Sequence, residues 1–246
     1  MLKTEKLGRD IFYYHRASST NLVLKHMARA GVVDEGAVVL AETQTMGRGR
    51  LDREWFSPPG GLWFSVLLRT RRPDSLIPHA AGVAVVLSIR KMGLESVIKW
   101  PNDVLVGGKK LAGILTEVGD WGVVVGIGIN ANVDTAAFPP DVRERSTTLL
   151  EITCVPVDRE KLLADVLLEL EKEYNLLVGG GEEGKERLLE KWIALTDTIG
   201  RYVVVLTPMG EVRGRAVAID PSGALVVETP DGGIKKVAVG DCLYLR

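Results

Sequence analysis

The sequence predicts an α+β protein in two parts, a larger unit in which strands and helices alternate and a small all-β barrel after it. Three observations predict this. Apolar runs of strand length, such as 36–42 (GAVVLAE) and 61–69 (GLWFSVLLR), are interleaved with helical patterns through the first part of the chain. A strong amphipathic helix occupies 158–178, with Asp158 as its cap. From Gly200 the apolar period drops to two, and turn signals at 208–210, 220–223 and 230–233 cut the chain into short strands at 202–207, 212–219, 224–228 and 235–239. A segment of this size makes an SH3-like barrel. The boundary falls at 196–200, dividing the chain into 1–197 and 198–246.

Residues 11–14 read as a short apolar-aromatic strand. Ser18, Ser19, Thr20 and Asn21 then precede a helical pattern that runs to about residue 30, with Val23, Met27 and Ala30 on one face and Gly31 as its stop. Such side chains cap helices, and a helix N-terminus also presents free N–H groups to a ligand. After the strand 36–42 come Gln44 and the stretch 45–55 (TMGRGRLDREW). Neither apolar period fits it. Glycine lets a backbone approach a ligand closely, and arginine offers a planar charged fork for phosphate or carboxylate oxygens. The loop therefore reads as an anion clamp, Arg48-Gly49-Arg50, with Trp55 as an aromatic lid. It has few apolar anchors and is expected to become ordered over a ligand. Asp52 puts a carboxylate inside the clamp, where Arg53 is available to pair with it.

Residues 61–69 form the next strand, 73–78 a turn and 80–92 an apolar helix. In 99–106 (KWPNDVLV), Pro101 marks a break between two strands. Asn102 and Asp103 suit a turn, whereas Lys99 and Trp100 do not. Gly107 and Gly108 turn the chain, and 109–117 (KKLAGILTE) returns as a strand. The strand 121–129 follows, with Gly126 and Gly128 assigned to close backbone packing and Asn130 at its end. It lacks the third glycine of a dinucleotide fingerprint. The run 179–185 (GGGEEGK) imitates the start of a P-loop, but Glu186 stands where Ser or Thr is required, so it reads as a flexible linker between helices.

Composition excludes several functions. The 246 residues carry a net charge of −1, which argues against a broad polyanion-binding face. Cys154 and Cys242 lack metal-binding spacing, and His15, His26 and His79 suggest neither a metal site nor a triad. Residues 1–10 are charged and carry no signal-peptide core. No apolar run reaches the roughly 18–20 residues of a membrane span. A cytoplasmic protein without membrane contact is expected.

Three blocks in order, GRGR at 47–50 with Trp55, KWPND at 99–103 and KLAGILTE at 110–117, resemble the signature of the biotin protein ligases. Ser19, Thr20, Asn21 and 126–130 (GIGIN) match further family positions, and the resemblance spans essentially the whole chain. It implies a class II synthetase-like fold: a mixed central sheet, helices packed on one side, and the C-terminal SH3-like barrel. It also implies two reactions. Biotin and ATP give biotinyl-5'-AMP and pyrophosphate, and the biotinyl group then passes to a lysine of a biotin carboxyl carrier protein or domain.

By the same resemblance, Arg48, Arg50 and Lys110 carry catalysis. Ser19, Thr20, Asn21, Gln44, Arg48, Gly49, Arg50, Lys110 and Gly113 bind biotin. Arg48, Arg50, Trp55, Asn102, Lys110 and Asn130 hold ATP or the adenylate. Asp103 is the carboxylate for Mg²⁺, and Lys99 supports the site without an assigned contact. The family often has glycine where Asp52 stands here. A homodimer is implied. The blocks begin within the first twenty residues, so a winged helix-turn-helix and DNA binding are not expected. Two alternatives stay open: a lipoate or octanoate ligase of the same fold, whose RRxSGGGxVxH pattern is missing, and a non-catalytic binding module.

Overall fold

The computed structural model describes residues 2–51, 53–70 and 74–245. A seven-stranded sheet forms the body, built from β1 (Ile11–Ala17), β2 (Val38–Gln44), β3 (Leu62–Leu68), β4 (Ser96–Lys99), β5 (Asp103–Val106), β6 (Lys109–Gly119) and β7 (Gly122–Ile129). Its order is β1-β2-β3-β7-β6-β5-β4, with β1 and β2 parallel and the other neighbours antiparallel. This is the mixed sheet expected. β3 is buried at every position, because both faces of the sheet are covered there, and that makes its sequence apolar at every position but Ser65.

The helices are α1 (Thr20–Arg29), α2 (Ile77–Arg90), α3 (Pro140–Arg145), α4 (Leu149–Thr153), α5 (Arg159–Gly179) and α6 (Gly181–Leu195). They cover both faces of the sheet rather than one. Side chains of α2, α5 and α6 share a core with Val66, Leu68, Val125 and Ile127. α1 packs over Val39, Leu67 and Val124, which alternation places on the opposite face. Its buried positions are Thr20, Asn21, Leu24 and Ala28, not the stripe Val23, Met27 and Ala30. The polar pair belongs to the buried side because it borders a polar cavity. The run 179–185 is not a linker. α5 ends at Gly179, Gly180 alone makes the corner, and Gly184 already lies inside α6. A Cβ on Gly184 would sit 2.2 Å from the Leu176 carbonyl oxygen, so glycine there permits a tight corner between helices.

The C-terminal part is a five-stranded antiparallel sheet of β8 (Tyr202–Thr207), β9 (Gly210–Ile219), β10 (Leu225–Glu228), β11 (Ile234–Val237) and β12 (Asp241–Tyr244), in the order β11-β10-β9-β8-β12. Four of these match the period-two segments. The fifth, β12, is too short and too polar at its start to announce itself, yet it borders the functional cavity.

Trp100 fastens the two sheets together. It is fully buried; its backbone N–H donates to Thr198 Oγ1 at 2.9 Å and its indole N–H to the Gly223 carbonyl at 3.1 Å. The Lys99 ammonium lies 5.0 Å from the centre of the Tyr244 ring, a cation–π distance. The two residues that did not suit a turn are therefore the fasteners. At the other end of the fold, Glu171 in α5 accepts hydrogen bonds from the backbone N–H groups of Glu5, Lys6 and Leu7 at 2.6, 2.7 and 2.8 Å. Burial by itself raises this carboxyl, but the three donors outweigh it and hold the group below its ordinary value.

His79 is buried in the junction that Trp100 makes, 5.1 Å from the Trp192 ring and against Gly223. Burial pushes it down to about 4, against the weaker pull of the Gly223 and Ser75 backbone and of Asp74. The unfolded chain, with a histidine near 6.5, takes up that proton first. Stability from the neutral ring is complete above about pH 6.5 and declines as pH falls toward 4. The expected loss across this window is about 3 kcal/mol. Thermal melts between about pH 7 and about pH 4.5 check it, and His79→Leu is expected to flatten the acid limb.

Candidate active site

On the face that carries α1, β7 presents Val124, Gly126 and Gly128 in succession, and β6 places Leu115 and Gly113 opposite the two glycines. Val124 supports α1. Beyond it β7 carries no side chains on this face, and the sheet becomes the floor of a cavity of about 800 Å³. The sequence reading assigns these glycines to backbone packing; the structure places side chains over them instead. A Cβ on Gly126 would lie 2.2 Å from Asn21 Oδ1, and one on Gly128 would lie 2.5 Å from Trp55 Nε1.

A network of short polar contacts closes one end. The Thr20 backbone N–H and hydroxyl donate to Gln44 Oε1 at 2.8 and 3.2 Å, and Gln44 Nε2 donates to Ser57 Oγ at 2.8 Å. Ser65 Oγ is 2.7 Å from Thr20 Oγ1 and 2.5 Å from Asn21 Oδ1. Asn21 Nδ2 donates to Glu117 Oε2 at 2.7 Å. Burial alone raises the Glu117 carboxyl, but Lys25, Asn21 and the more distant Arg48 charge hold it below its ordinary value. Ser19 occupies the N-cap position, but its side chain makes no capping bond. The polar side chains at the start of α1 therefore serve the cavity rather than the helix. Ser65, Ser57 and Glu117 were not singled out from sequence. The signal for Ser65 was present, as the one hydroxyl in an otherwise apolar strand.

The glycine–arginine stretch folds back on itself. Gly49 N–H donates to the Arg53 carbonyl at 2.6 Å and Trp55 N–H to the Gly47 carbonyl at 2.9 Å, with Arg48 and Glu54 bridged across. Leu51 at the turn takes a left-handed φ of 54°. The Trp55 ring lies on Gly113 and Gly128 and meets Trp63 edge-on at 6.1 Å. Its buried indole N–H has no hydrogen-bond partner among the described residues. Trp55 is thus the apolar anchor that the glycine content conceals. Asp52 lies outside the described residues, so its pairing with Arg53 has no structural counterpart here; Arg53 is engaged with Asp241 at 2.6 Å.

Several cations border the floor. Lys110 Nζ is 2.6 Å from Asp103 Oδ1 and 5.0 Å from the centre of the Trp55 ring. Arg50 Nη1 donates to Asn102 Oδ1 at 3.4 Å, while Asn102 Nδ2 is committed to the Ile114 carbonyl at 2.6 Å. Burial lowers the Arg50 guanidinium, Asp103 and Asp241 oppose that, and the group stays charged. Asn130 is buried and its amide donates to the carbonyls of Lys110 and Thr147 at 3.4 and 3.0 Å, pinning the backbone behind Lys110. Arg48 and Lys99 border the same space, as does every other residue assigned a role from sequence.

Among the described residues no three His, Cys, Asp or Glu side chains are placed to hold a metal ion. Asp103, the carboxylate assigned to Mg²⁺ from sequence, is in an ion pair with Lys110. A divalent cation fits here only as the companion of phosphate oxygens, which is how Mg²⁺ commonly binds. The site is built to receive an anion over a floor cleared of side chains, with an aromatic ring above.

Residues 13–134 match the family model for the biotin/lipoate A/B protein ligase family, and residues 198–244 match that for the biotin protein ligase C-terminal domain. The bifunctional ligase/repressor of Bacillus subtilis is 36% identical over 250 residues, covering 98% of this chain and 75% of that one. The biotin–[acetyl-CoA-carboxylase] ligase of Mycobacterium tuberculosis is 34% identical over 248 residues, covering 97% and 90%. Among solved structures, the biotin protein ligase of Aquifex aeolicus in complex with biotin and ATP superposes with a TM-score of 0.82 at 29% identity, covering 97% of this chain and 99% of that one.

Proposed function

This chain belongs to the biotin protein ligase family, and from that premise we propose how its residues carry out an ATP-dependent biotinylation. The observation that carries the proposal is the placement of Arg48, Arg50 and Lys110 around a glycine floor beneath Trp55. In the first step a biotin carboxylate oxygen attacks the α-phosphorus of ATP, the bond to the β-phosphate oxygen breaks, and pyrophosphate leaves. Two anions must meet for this, so the barrier is electrostatic and positional. Lys110 neutralises the carboxylate and the α-phosphate. Arg50 and Arg48 take the charge that develops on the phosphoryl oxygens.

Ser19, Thr20, Asn21 and Gln44 take the polar ring of biotin, with Gly49 and the Gly113 backbone beside the acyl chain. Trp55 covers the adenylate, and Asn102 and Asn130 line its nucleotide side. Mg²⁺ would come with ATP and neutralise its phosphates, and Asp103 is the carboxylate we assign to hold it. In the second step a carrier lysine attacks the acyl carbon, the bond to AMP breaks, and the amine gives up a proton for which Asp103 is the available acceptor. Biotin protein ligases act on biotin carboxyl carrier proteins, and such a domain is the partner we assign.

No helix among the described residues is long and apolar enough to cross a membrane, and we place the activity in the cytoplasm. We take 1–197 as the catalytic unit and 198–246 as the C-terminal barrel. A homodimer is proposed through the outer edge of β1, which has no strand neighbour among the described residues and exposes Ile11 and Tyr13. The function is tested by incubating the protein with biotin, Mg·ATP and a carrier domain and weighing the carrier. One added biotinyl group on one lysine is expected. An unmodified carrier, together with pyrophosphate exchange that answers to lipoate and not to biotin, would overturn the reading.

A further inference from the structure

Arg53 and Asp241 form an ion pair, Nη2 to Oδ2, at 2.6 Å. They belong to different parts of the molecule. Arg53 is in the loop between β2 and β3, and Asp241 opens β12 in the C-terminal sheet. The Arg53 backbone is also what closes the loop, its carbonyl accepting from Gly49 and its N–H donating to the Arg50 carbonyl. Its partner stands on a firm base. β12 pairs along its whole length with β8, and the Tyr244 hydroxyl is 2.9 Å from Thr198 Oγ1. Asp241 makes no other ion pair among the described residues. A glycine-rich hairpin with a left-handed residue at its turn is thus tied to a carboxylate held by the other sheet.

We propose that Asp241 is a positioning residue for the adenylate: acting through Arg53, it holds the glycine–arginine loop shut over the bound intermediate, so the C-terminal sheet sets how long biotinyl-AMP is retained. The inference rests on the ligase reading above. It gives the C-terminal sheet a defined task at the site and explains why β12 begins with a carboxylate beside a cavity whose occupant is anionic. The carboxylate serves the loop rather than the ligand, since it faces the cations Arg53 and Arg50. The side chains are 56% and 28% exposed, so the effect is moderate, about threefold to fivefold. It is also open to screening by salt.

The test measures first-order release of biotinyl-AMP, formed on the enzyme and chased with unlabelled biotinyl-AMP, for the wild type, Asp241→Asn, Arg53→Gln and the double variant. Asp241→Asn keeps the side chain's shape, Arg53→Gln removes the charge with a shorter polar side chain, both positions are partly exposed, and thermal melts verify that each variant is folded. Each single variant is expected to release the intermediate about threefold to fivefold faster, and the double variant no faster than either. Release from the wild type is expected to accelerate more steeply with ionic strength than release from the variants, which keep only the screening of the ligand's own charge. Unchanged release in Asp241→Asn overturns the proposal, as does an equal acceleration by Asp241→Asn in the Arg53→Gln background. A wild-type protein that forms no biotinyl-AMP overturns the ligase reading, and this inference with it.

Discussion

Replacing Lys110 with alanine is expected to lower biotin-dependent ATP–pyrophosphate exchange by about a hundredfold to a thousandfold, the usual consequence of removing one preorganised charge from a developing anion. Two effects combine. The cation that neutralises the carboxylate and the α-phosphate is lost. The Asp103 carboxylate, 2.6 Å from Lys110 in the intact site, is left without its partner and then repels the phosphates. Retained folding is expected, because Lys110 is bordered by the cavity and its main chain is held by Asn130 and Thr147. Circular dichroism and a thermal melt check the fold, and isotope exchange checks the rate. Asp103→Asn separates the two effects: it removes the repulsion but also the group that orients the lysine. An exchange rate within threefold of wild type in Lys110→Ala would remove the lysine from the chemistry.

Gly128→Val is expected to have the second largest effect, on binding and retention. A Cβ there would come within 2.5 Å of Trp55 Nε1, and the added methyls require still more room. The ring has to leave the floor, and the loop that carries it opens. Losing the burial of an aromatic side chain costs about 1.5–3 kcal/mol, which corresponds to a drop in biotin affinity of about tenfold to a hundredfold. The sheet itself should tolerate the change, since valine suits a strand and the new side chain points into open space once the ring has moved. Calorimetric titration with biotin reads the affinity. Gly113→Ala is the milder companion, because its Cβ would meet the same ring at 3.0 Å.

Much of the fold is legible in the sequence, for local reasons. β3 is announced by an apolar run broken only at Ser65 because both faces are covered, and α5 by its period and by Asp158, whose side chain accepts from Lys161 N–H as a cap should. The glycine–arginine loop stands out because its composition fits no regular element. What escapes is set by partners far along the chain. Which face α1 buries depends on a cavity built by β6 and β7. Gly184 is helical because of Leu176 in the preceding helix. Ser65 matters only because Thr20 and Asn21 arrive from another element. Trp100 looks misplaced in a turn until Gly223, 123 residues later, supplies its acceptor.

The carboxylate of Glu171 also bears on how the chain is made. It holds the backbone of residues 5–7 across sequence separations of 164 to 166 residues. A ribosome that adds about 5–20 residues per second delivers that acceptor roughly 8 to 33 s after the segment it must grip. In that interval β1 and β2 can pair through the nearby α1 crossover, but the start of the chain has nothing to hold it, and the place beside β3 waits for β7. An unpaired strand edge is the part of a nascent protein most open to wrong partners. The growing chain's early risk is therefore concentrated at β3 until β7 pairs with it, and at residues 5–7, which stay without their acceptor until the long helix α5 has been synthesised and docks.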